Sequence, residues 1–485
     1  MEVEATSLPQ HARSPRLREI DELPGPRGLP FVGTLFQIER SRLHQNVEAW
    51  SRDHGAYFRF RLGSRTLLGV ADHEALATVL RDRPDGFRRS RHLQNIAAEM
   101  GLQPGVFAAN GDAWRRQRRM VMAGFDPAHV RAYFPALLKV TQRLQRRWLT
   151  AARNGQAIEL QPELMRFTVD AIAGLAFGAD INTLESDDDV IQRHLDQVFP
   201  ALFKRAFAMV PLWRWLRLPA DRRLERSVAA INRAIEEFIE QARERLATNP
   251  VRRAQPPNLL EAMIVAADEP DSGITDAEVA GNVLTMLLAG EDTTANTLAW
   301  MIHLLASHPE ALRRARDEVR RLAGDATALT PEQMGSLDYL EACAHETMRL
   351  KPVAPFQVIE ALRYTTIADI RVPAGTAVWC VMRGDSISER HFPDPLRFDP
   401  ERWLSDRNPG QAASAAKRVS MPFGAGPRVC PGRYLALLEI KMAMAMLLGQ
   451  FDIERVDTPD GRAPRELMAF TMTPVGLRMR LREAP

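Results

Sequence analysis

Apolar residues recur at helical spacing over most of the chain from about residue 127 onward. Before that point, two runs rich in aromatic and β-branched residues, 56–62 and 66–71, predict a pair of strands joined by a short turn. Further short strands are predicted near 376–382 and 477–481. No internal repeat or long low-complexity tract is visible. The pattern therefore predicts a mainly α-helical protein with small β-sheets.

Two four-residue patterns predict where helices begin. Thr275 and Glu278 have the spacing of a capping box, in which two side chains satisfy free backbone N–H groups. They precede a long apolar run. Ser307 and Glu310 have the same spacing and predict the start of a separate, charged helix.

Composition narrows the class of protein. The chain of 485 residues carries a net charge of +3, which gives no support for nucleic-acid binding. Its three cysteines lack paired spacing, which argues against a disulfide framework and predicts a cytoplasmic protein. No run approaches about 18 consecutive apolar residues, so no transmembrane anchor is expected.

Length alone would allow about three domains of roughly 150 residues each, yet no linker-like change of composition divides the chain. Residues 1–22 are polar and charged, lack the apolar core of a signal peptide, and are predicted to be a flexible arm. The proline-rich segment 23–30 then predicts a rigid entry to one folded unit, residues 23–485.

One cysteine differs from the others in its neighbours. Cys343 and Cys380 are expected to be small core residues, the usual setting of a free cysteine. Cys430 is flanked by Phe423, Gly426, Arg428, Pro431 and Gly432. The glycines let the backbone approach a flat partner closely, and the arginine offers a bidentate charge to a carboxylate. The proline suits the first turn of a helix.

The energetics of the thiol indicate a metal. Ionising a free thiol at pH 7 costs roughly 2 kcal/mol, whereas a helix N-terminus contributes about 0.3–1 kcal/mol. A cation is the natural source of the remainder. With no second cysteine or histidine close by, a zinc site is not expected, because zinc requires three or four protein ligands. Iron held by a macrocycle suits a single thiolate.

The pattern F-x-x-G-x-R-x-C-x-G around Cys430 resembles the haem-binding loop of the cytochrome P-450 family. The resemblance implies a single large triangular fold of that type, haem b as cofactor, and Cys430 as the axial thiolate. It assigns Phe423, Gly426, Arg428 and Gly432 to cofactor binding. Such a thiolate pushes electron density toward the iron and favours O–O cleavage.

Trp114 and Arg118 are four residues apart and share one helix face, from which both can donate to one carboxylate. In the family, W-x-x-x-R lies on the helix that holds a haem propionate, so the resemblance assigns both residues to cofactor binding.

The long helix contains Ala289-Gly-Glu-Asp-Thr-Thr294, whose glycine and threonines are poor choices for a helix interior. Threonine hydroxyls can bond back to a carbonyl and bend the helix. The run resembles the oxygen-activation motif of the family, which makes Asp292 and Thr293 the catalytic acid and alcohol. Ala289 and Gly290 would then line the substrate pocket.

Glu346 and Arg349 lie on one helix face, an arrangement that is common in exposed pairs. The spacing also resembles the family's buried E-x-x-R pair. Phe398-Asp-Pro-Glu-Arg402-Trp403 resembles the loop that completes it. The resemblance therefore implies a structural triad of Glu346, Arg349 and Arg402.

The chain departs from the family in the segment 353–360. Many members carry a propionate-binding arginine there, and this chain does not. Propionate binding would then depend more on Trp114, Arg118 and Arg428. The resemblance assigns an apolar pocket wall to Val353, Ala354, Phe356 and Val358, with Phe470 and Met472 as weaker candidates.

Residues 199–219 mix aromatic and basic side chains. One interpretation is a helix pair packed on the core. The other is a mobile lid over an apolar site, with peripheral membrane contact.

These features predict a monooxygenase that inserts one oxygen atom of dioxygen into an apolar small molecule. The chain shows no flavin or iron–sulfur module, so electrons from NAD(P)H would arrive through a ferredoxin, a flavodoxin or an FAD/FMN reductase. A peroxygenase or isomerase, and a non-catalytic haem ligand-binding protein, remain as alternatives; both are disfavoured by Asp292 and Thr293.

In the family, the helix of Trp114 and the Cys430 loop border the same face, so the resemblance implies that the donor binds at a basic surface there. Two groups of basic residues predict it: Arg115, Arg116 and Arg119 on the helix of Trp114, and Lys417, Arg418 and Arg433 around the loop.

Overall fold

The computed structural model describes residues 16–125, 127–185, 190–208, 210–323, 325, 328–404 and 412–484. Within them the chain forms the following α-helices: α1 (Leu43–His54), α2 (His73–Arg81), α3 (Arg91–Glu99), α4 (Gly111–Met122), α5 (Pro127–Arg153), α6 (Leu160–Phe177), α7 (Val190–Ala206), α8 (Pro219–Thr248), α9 (Pro250–Ala254), α10 (Leu259–Ala267), α11 (Asp276–Ser307), α12 (Pro309–Leu322), α13 (Pro331–Gly335), α14 (Asp338–Leu350), α15 (Ala412–Ser420) and α16 (Arg433–Gln450).

The described strands are short: β1 (Tyr57–Leu62), β2 (Arg65–Val70), β3 (Phe87–Arg89), β4 (Ile158–Glu159), β5 (Phe356–Ala361), β6 (Thr365–Ile367), β7 (Ile370–Val372), β8 (Ala377–Val381), β9 (Phe451–Asp457), β10 (Glu466–Met468), β11 (Met472–Pro474) and β12 (Arg478–Glu483). The prediction of a mainly helical protein with small sheets is confirmed, and the four strands expected from the sequence lie within about two residues of their predicted bounds.

The largest sheet has the order β1-β2-β8-β5-β3. β1 pairs antiparallel with β2, placing Tyr57 opposite Val70, whereas β2 and β8 are parallel. β5 joins β8 to β3 by antiparallel pairing, with Arg89 opposite Ile359. A second sheet has the order β4-β12-β9, and β6-β7 and β10-β11 are isolated pairs. The small sheets therefore connect segments that are far apart in the chain.

The helix α11 runs through the centre of the core and packs against α6, α14 and α16. It begins as predicted, because the Thr275 hydroxyl accepts the Glu278 N–H at 3.2 Å and the Glu278 carboxylate accepts the Thr275 N–H at 2.9 Å. Gly290 is required by the close packing of α6, since a Cβ there would lie 2.8 Å from Ile172 Cγ1. The helix that follows the Cys430 loop, α16, is buried along most of its length.

The second predicted capping box is wrong. Ser307 is the last residue of α11, and its hydroxyl donates to the His303 carbonyl at 2.8 Å instead of capping α12. The Ncap residue of α12 is His308, followed by Pro309. A proline in the first helical position needs no N–H partner, so α12 begins without the box.

The beginning of the chain is described only from residue 16, so most of the predicted arm lies outside the described residues. Arg18 exchanges backbone hydrogen bonds with the segment 369–371, and its guanidinium contacts the Asp369 carboxylate at 2.7 and 2.8 Å. In the part of the chain that the structure describes, no helix is both long and apolar enough to span a bilayer.

Candidate functional site

The Cys430 loop is a tight turn between α15 and α16. The Cys430 N–H donates to the Phe423 carbonyl at 3.0 Å, and residues Gly426–Arg428 form a single 3-10 turn. Gly432 is the Ncap residue of α16, so the sulfur lies just before the start of that helix. Burial raises the pKa of the Cys430 thiol, and the nearby Gly432 N–H only partly offsets it. The protein groups alone therefore favour the neutral thiol, and a thiolate at this position would need a bound cation beside it.

The two predicted glycines serve different purposes. Gly426 has a φ of +71°, and a Cβ there would lie 2.5 Å from the Leu80 carbonyl oxygen at the end of α2. Its close approach is therefore to α2. At Gly432 a Cβ would lie 4.0 Å from Cys430 Sγ, an ordinary contact on the sulfur side of the loop.

Four arginines beside this loop form what we call the arginine cluster: Arg83, Arg89, Arg118 and Arg428. Burial lowers the pKa of each guanidinium, for Arg428 to about 9, and repulsion within the cluster lowers the pKa of Arg89 and Arg428 further. Among the described residues, none of the four is paired with a carboxylate. Buried charge without a counter-charge is costly, so the cluster is suited to binding an anion with more than one negative charge.

The hydrogen bonds of the cluster are mostly to uncharged acceptors. Arg118 donates to the Val429 carbonyl at 2.8 Å, and Arg428 donates to the Ala109 carbonyl while its Nε has no partner among the described residues. The ring of Trp114 lies 4.9 Å below the Arg428 guanidinium. The predicted residues Trp114, Arg118 and Arg428 are thus brought together.

Arg83 and Arg89 were missed from the sequence. Each places Nη1 3.5 Å from Gln357 Oε1, in the segment where the family arginine is lacking. The positive charge beside Gln357 therefore comes from Arg89 on β3 and from Arg83 just after α2, not from a residue of β5. The neighbouring Arg88 pairs with Glu360 across the strands. In the sequence, Arg88 and Arg89 are two adjacent arginines, and nothing there shows that Arg88 is paired with a carboxylate whereas Arg89, among the described residues, is not.

On α11, the Asp292 carboxylate accepts hydrogen bonds from Asn296 Nδ2 at 2.8 Å and from the Thr471 hydroxyl. Burial raises the pKa of this carboxyl, and the two donors only partly oppose the rise. The Thr293 hydroxyl donates to the Ala289 carbonyl at 2.7 Å, as expected for a threonine in a helix. The helix nonetheless continues without interruption from Asp276 to Ser307.

Glu346 and Arg349 form a fully buried bidentate ion pair with both N–O distances at 2.8 Å. The Arg349 guanidinium also donates to the carbonyls of Ser386 at 2.5 Å and Pro395 at 2.7 Å. Arg402 Nε lies 3.4 Å from Glu346 Oε1. We call the pair and its partners the E-R network.

Two further donors complete this network and were not predicted. Trp403 Nε1 donates to Glu346 at 2.9 Å, and the Asp399 N–H donates to the other carboxylate oxygen at 2.9 Å. Every oxygen of Glu346 thus has at least two partners. A backbone N–H carries no sequence signal, and the tryptophan was read only as part of a loop motif.

Some of the predicted pocket residues meet from two segments, 353–358 and the C-terminal turn 470–472. Phe356 stacks on Trp379 with ring centroids 5.3 Å apart, and Val358 packs against the same cluster. The Met472 N–H donates to the Val353 carbonyl at 2.8 Å, which joins the C-terminal turn to the segment before β5. Phe470 packs against this cluster and has a φ of +95°. For Ala354 the structure shows an exposed position.

Phe470 also contacts the region 199–219, because its ring stacks on Phe199 at 4.5 Å. That region contains the end of α7, a 3-10 turn at Leu212–Arg214 and the start of α8, and the two helices pack against each other. The interpretation as a helix pair agrees with this packing. The connecting turn exposes apolar side chains, with Trp215 70% exposed and Leu216 60% exposed.

The site thus combines a thiol at a helix start, a cluster of arginines and an acid beside an alcohol on a central helix, which is the combination that the resemblance in sequence predicts. The comparisons agree: the profile of the cytochrome P-450 family matches residues 23–481, so the chain belongs to the cytochrome P-450 family. Its members are monooxygenases that carry haem.

Relatives come from distant organisms. The cyclooctat-9-en-7-ol 5-monooxygenase of Streptomyces melanosporofaciens is 28% identical over 434 residues, covering 89% of either chain. The steroid 17-alpha-hydroxylase/17,20 lyase of Felis catus is 26% identical, covering 94% of this chain and 92% of that one. The crystal structure of the cytochrome P450DA heme domain superposes with a TM-score of 0.82 at 24% identity, covering 97% and 99%, which confirms the fold.

The residues present fit haem. Its two propionates carry the kind of paired negative charge that the arginine cluster lacks among the described residues, and the unpartnered Arg428 Nε is free to donate to one of them. The half-buried Cys430 sulfur offers the single soft ligand that haem iron takes in such enzymes.

Proposed function

We propose that this chain oxygenates an apolar organic substrate with electrons delivered by a separate protein. The observation that carries the proposal is the convergence of Phe356, Val358 and Phe470 on one apolar cluster, together with the stacking of Phe470 on Phe199. Largely apolar walls with a few polar groups are typical of sites for small apolar ligands. Residues 23–485 form the proposed haem domain, and the free thiols favour the cytoplasm as its compartment.

Haem held by a thiolate supplies the chemistry of dioxygen activation when it is bound. In this proposal Cys430 would supply the thiolate that holds the iron, and Trp114, Arg118 and Arg428 would hold the propionates together with Arg83 and Arg89. Replacing Cys430 by histidine should retain haem but abolish the red-shifted carbon-monoxide spectrum of a thiolate complex. An unchanged spectrum in Cys430→His would contradict this assignment.

The acid and the alcohol on α11 are proposed to deliver protons. Asp292 holds its carboxyl between two hydrogen-bond donors, and burial raises its pKa toward values at which it can exchange a proton. The hydroxyl of Thr293 lies one residue along the helix. Thr293→Ala should bind substrate normally and divert reducing equivalents to peroxide. If NAD(P)H consumption stayed coupled to product formation in Thr293→Ala, Thr293 would have no part in proton delivery.

The substrate class is proposed from the site and the relatives together. By their names, the relatives mentioned above act on cyclooctat-9-en-7-ol and on steroids, and the apolar walls here suit ligands of that polarity. We expect cyclooctat-9-en-7-ol and steroids to shift the haem absorption spectrum of the loaded protein, and short polar alcohols of equal concentration to leave it unchanged. The reverse order of response would overturn the proposal.

The electron donor is proposed to be an acidic ferredoxin, flavodoxin or flavin reductase that binds beside the Cys430 loop. Arg81 and Arg119 are exposed and line, with Pro427 of the loop, one surface depression of about 440 Å³. Arg115 contributes less than the sequence suggested, because it pairs with Asp85 and Asp112.

This docking surface predicts a difference between neighbouring arginines. Arg119→Glu should slow reduction by an acidic partner several-fold at low salt and less at 0.5 M, because salt screens exposed charges. Arg115→Glu is the matched control and should slow it less. Equal rates of reduction in the Arg119→Glu and Arg115→Glu variants would indicate that the donor binds at another surface.

One relative, a self-sufficient monooxygenase of Phanerodontia chrysosporium, is matched over 40% of its length, so a fused donor is the alternative arrangement.

Peripheral membrane contact through residues 199–219 is a second proposal. The exposed Trp215 and Leu216 lie beside Arg214 and Arg217, a combination suited to a lipid surface. Trp215→Ser/Leu216→Ser should lower binding to anionic vesicles, and unchanged binding would exclude it.

A further inference from the structure

Two histidines and an aspartate meet at the joint between α2 and the segment that follows β8. His73 is the first residue of α2, Asp385 begins the 3-10 turn Asp385–Ile387, and His391 follows six residues later. One possible ligand atom from each residue lies within 4.8 Å of the other two. Asp385 Oδ2 is 2.9 Å from His73 Nδ1 and 3.4 Å from His391 Nε2. The two imidazoles stand edge to face, with centroids 4.7 Å apart.

Hydrogen bonding leaves this group incomplete. Asp385 Oδ2 accepts the His73 backbone N–H at 2.9 Å in addition to facing its ring nitrogen. His391 Nε2 is buried and, in the described part of the chain, has no hydrogen-bond partner. A buried polar atom without a partner costs the free energy of its desolvation. A cation between the three ligand atoms would satisfy it.

The surroundings of the group are negatively charged. The pKa of Tyr57 is raised to about 12, first by burial and then by the nearby carboxylates of Asp72, Asp369 and Asp385. Asp72 caps α2 by accepting the Ala75 N–H at 2.9 Å. Asp369 is paired with an arginine from the N-terminal segment, whereas Asp72 and Asp385 have no arginine or lysine partner among the described residues. Such a site favours a cation over an anion.

We propose that His73, Asp385 and His391 bind a divalent first-row transition-metal ion, with Zn²⁺ the ion that suits them best. Two imidazoles and a carboxylate are zinc ligands, whereas Mg²⁺ and Ca²⁺ take oxygen ligands. Tetrahedral zinc with bonds of about 2.0–2.1 Å places its ligand atoms about 3.3 Å apart. The two measured separations from Asp385 Oδ2, 2.9 and 3.4 Å, are close to that value. Water completes the fourth position.

The bound ion would join two elements, one packed on the Cys430 loop and the other hydrogen-bonded to the E-R network. The end of α2 packs so closely on Gly426 that a Cβ there would meet the Leu80 carbonyl oxygen. Ser386, next to Asp385, accepts a hydrogen bond from Arg349 in the E-R network at 2.5 Å. The site is therefore structural, and its expected effect is to stabilise the folded protein without contact with the substrate.

Calorimetric titration of the haem-loaded chain tests the proposal. The protein must carry no histidine tag and must first be treated with a chelator. We expect one Zn²⁺ per chain and no comparable binding of Mg²⁺. At a Zn²⁺ concentration 100 times its Kd, the unfolding equilibrium should shift about 100-fold toward the folded state, which a rise of Tm measures.

Variants separate this site from general surface binding. His391→Gln and Asp385→Asn should each lose at least tenfold in Zn²⁺ affinity and lose the rise in Tm, with an unchanged haem spectrum as proof of folding. His54→Gln, which changes a half-buried histidine at the end of α1, should bind as the unaltered chain does. Equal Zn²⁺ affinity in the unaltered chain and in both site variants would overturn the proposal, as would the absence of a one-to-one complex.

Discussion

Two groups of buried charged side chains in this molecule differ in how their charge is balanced. In the E-R network, Glu346 and Arg349 neutralise each other, and backbone carbonyls and N–H groups satisfy the remaining positions. In the arginine cluster, the described part of the chain supplies four guanidinium groups and no carboxylate for them. The E-R network, whose charges are balanced within the protein, stabilises the fold, whereas the arginine cluster, whose charges are not balanced, is suited to binding an anionic ligand.

Breaking the complete network should have the largest effect. Glu346→Ala leaves the Arg349 charge buried and unpaired, which costs about 3–5 kcal/mol of folding free energy. We expect haem-free or insoluble protein, measured by the ratio of haem absorbance to protein absorbance. A soluble, fully haem-loaded Glu346→Ala variant with an unchanged Tm would contradict the structural role.

Removing one member of the incomplete cluster should act on the cofactor instead. Arg89→Met removes a charge-assisted hydrogen bond worth about 1.5–3 kcal/mol, so haem affinity should fall by about 10–150-fold. The haem-free protein should be at least as stable as before, because a buried charge without a counter-charge has been removed. Arg88→Met is the matched control: its guanidinium already pairs with Glu360, and haem affinity should not change. Equal losses of haem affinity in Arg89→Met and Arg88→Met would show that the arginine without a carboxylate partner contributes no more to haem binding than the paired one.

The buried carboxyl of Glu439 differs from that of Glu346 in its hydrogen-bond partners. Glu439 on α16 is also buried, but with Thr294 as the one partner that lowers its pKa, and burial raises that pKa to about 8. The folded state thus holds this proton more tightly than the unfolded chain, whose carboxyl pKa is about 4.3. The resulting stabilisation is complete below about pH 4.3 and is lost as the pH rises to about 8.

Glu439→Gln, which imitates the protonated acid, should therefore gain stability relative to the unaltered chain as pH rises. The expected gain between pH 6 and 8 is about 2 kcal/mol, followed as the difference in Tm. Parallel stability curves across that range would show that Glu439 is already ionised in the folded protein.

The smallest effect is expected at the edge of the E-R network. Trp403→Phe removes the 2.9 Å hydrogen bond to Glu346 and should cost about 1.5 kcal/mol in denaturant unfolding. Arg402→Met removes a 3.4 Å contact and should cost less. The opposite order would make Arg402 the more important third member, as the family resemblance implies.

The sequence was sufficient where the signal is local. The strands around 56–71, the capping box of α11 and the spacing of Glu346 and Arg349 all depend on residues a few positions apart, and short-range geometry determines them. The capping box at Ser307 failed because α11 extends through that residue, and no local pattern reports where a buried helix stops packing.

Long-range pairing could not be predicted from the sequence. Arg89 and Gln357 meet only because β3 pairs with β5 across more than 260 residues. The Thr471 hydroxyl reaches Asp292 because the C-terminal turn folds back over α11. His73 and His391 likewise depend on the packing of α2. Each of these contacts joins residues whose spacing in the sequence carries no periodic signal.

The most direct test of the account compares two forms of the cofactor. Haem-free protein should be titrated with iron protoporphyrin IX and with its dimethyl ester, in which both propionate charges are removed. If the arginine cluster is built to bind those charges, the diacid should bind at least 10²-fold more tightly, because two charge-assisted contacts are each worth about 1.5–3 kcal/mol. Arg89→Met should narrow the preference, and Arg88→Met should not. Equal affinity for the diacid and the diester in the unaltered chain would contradict the central claim.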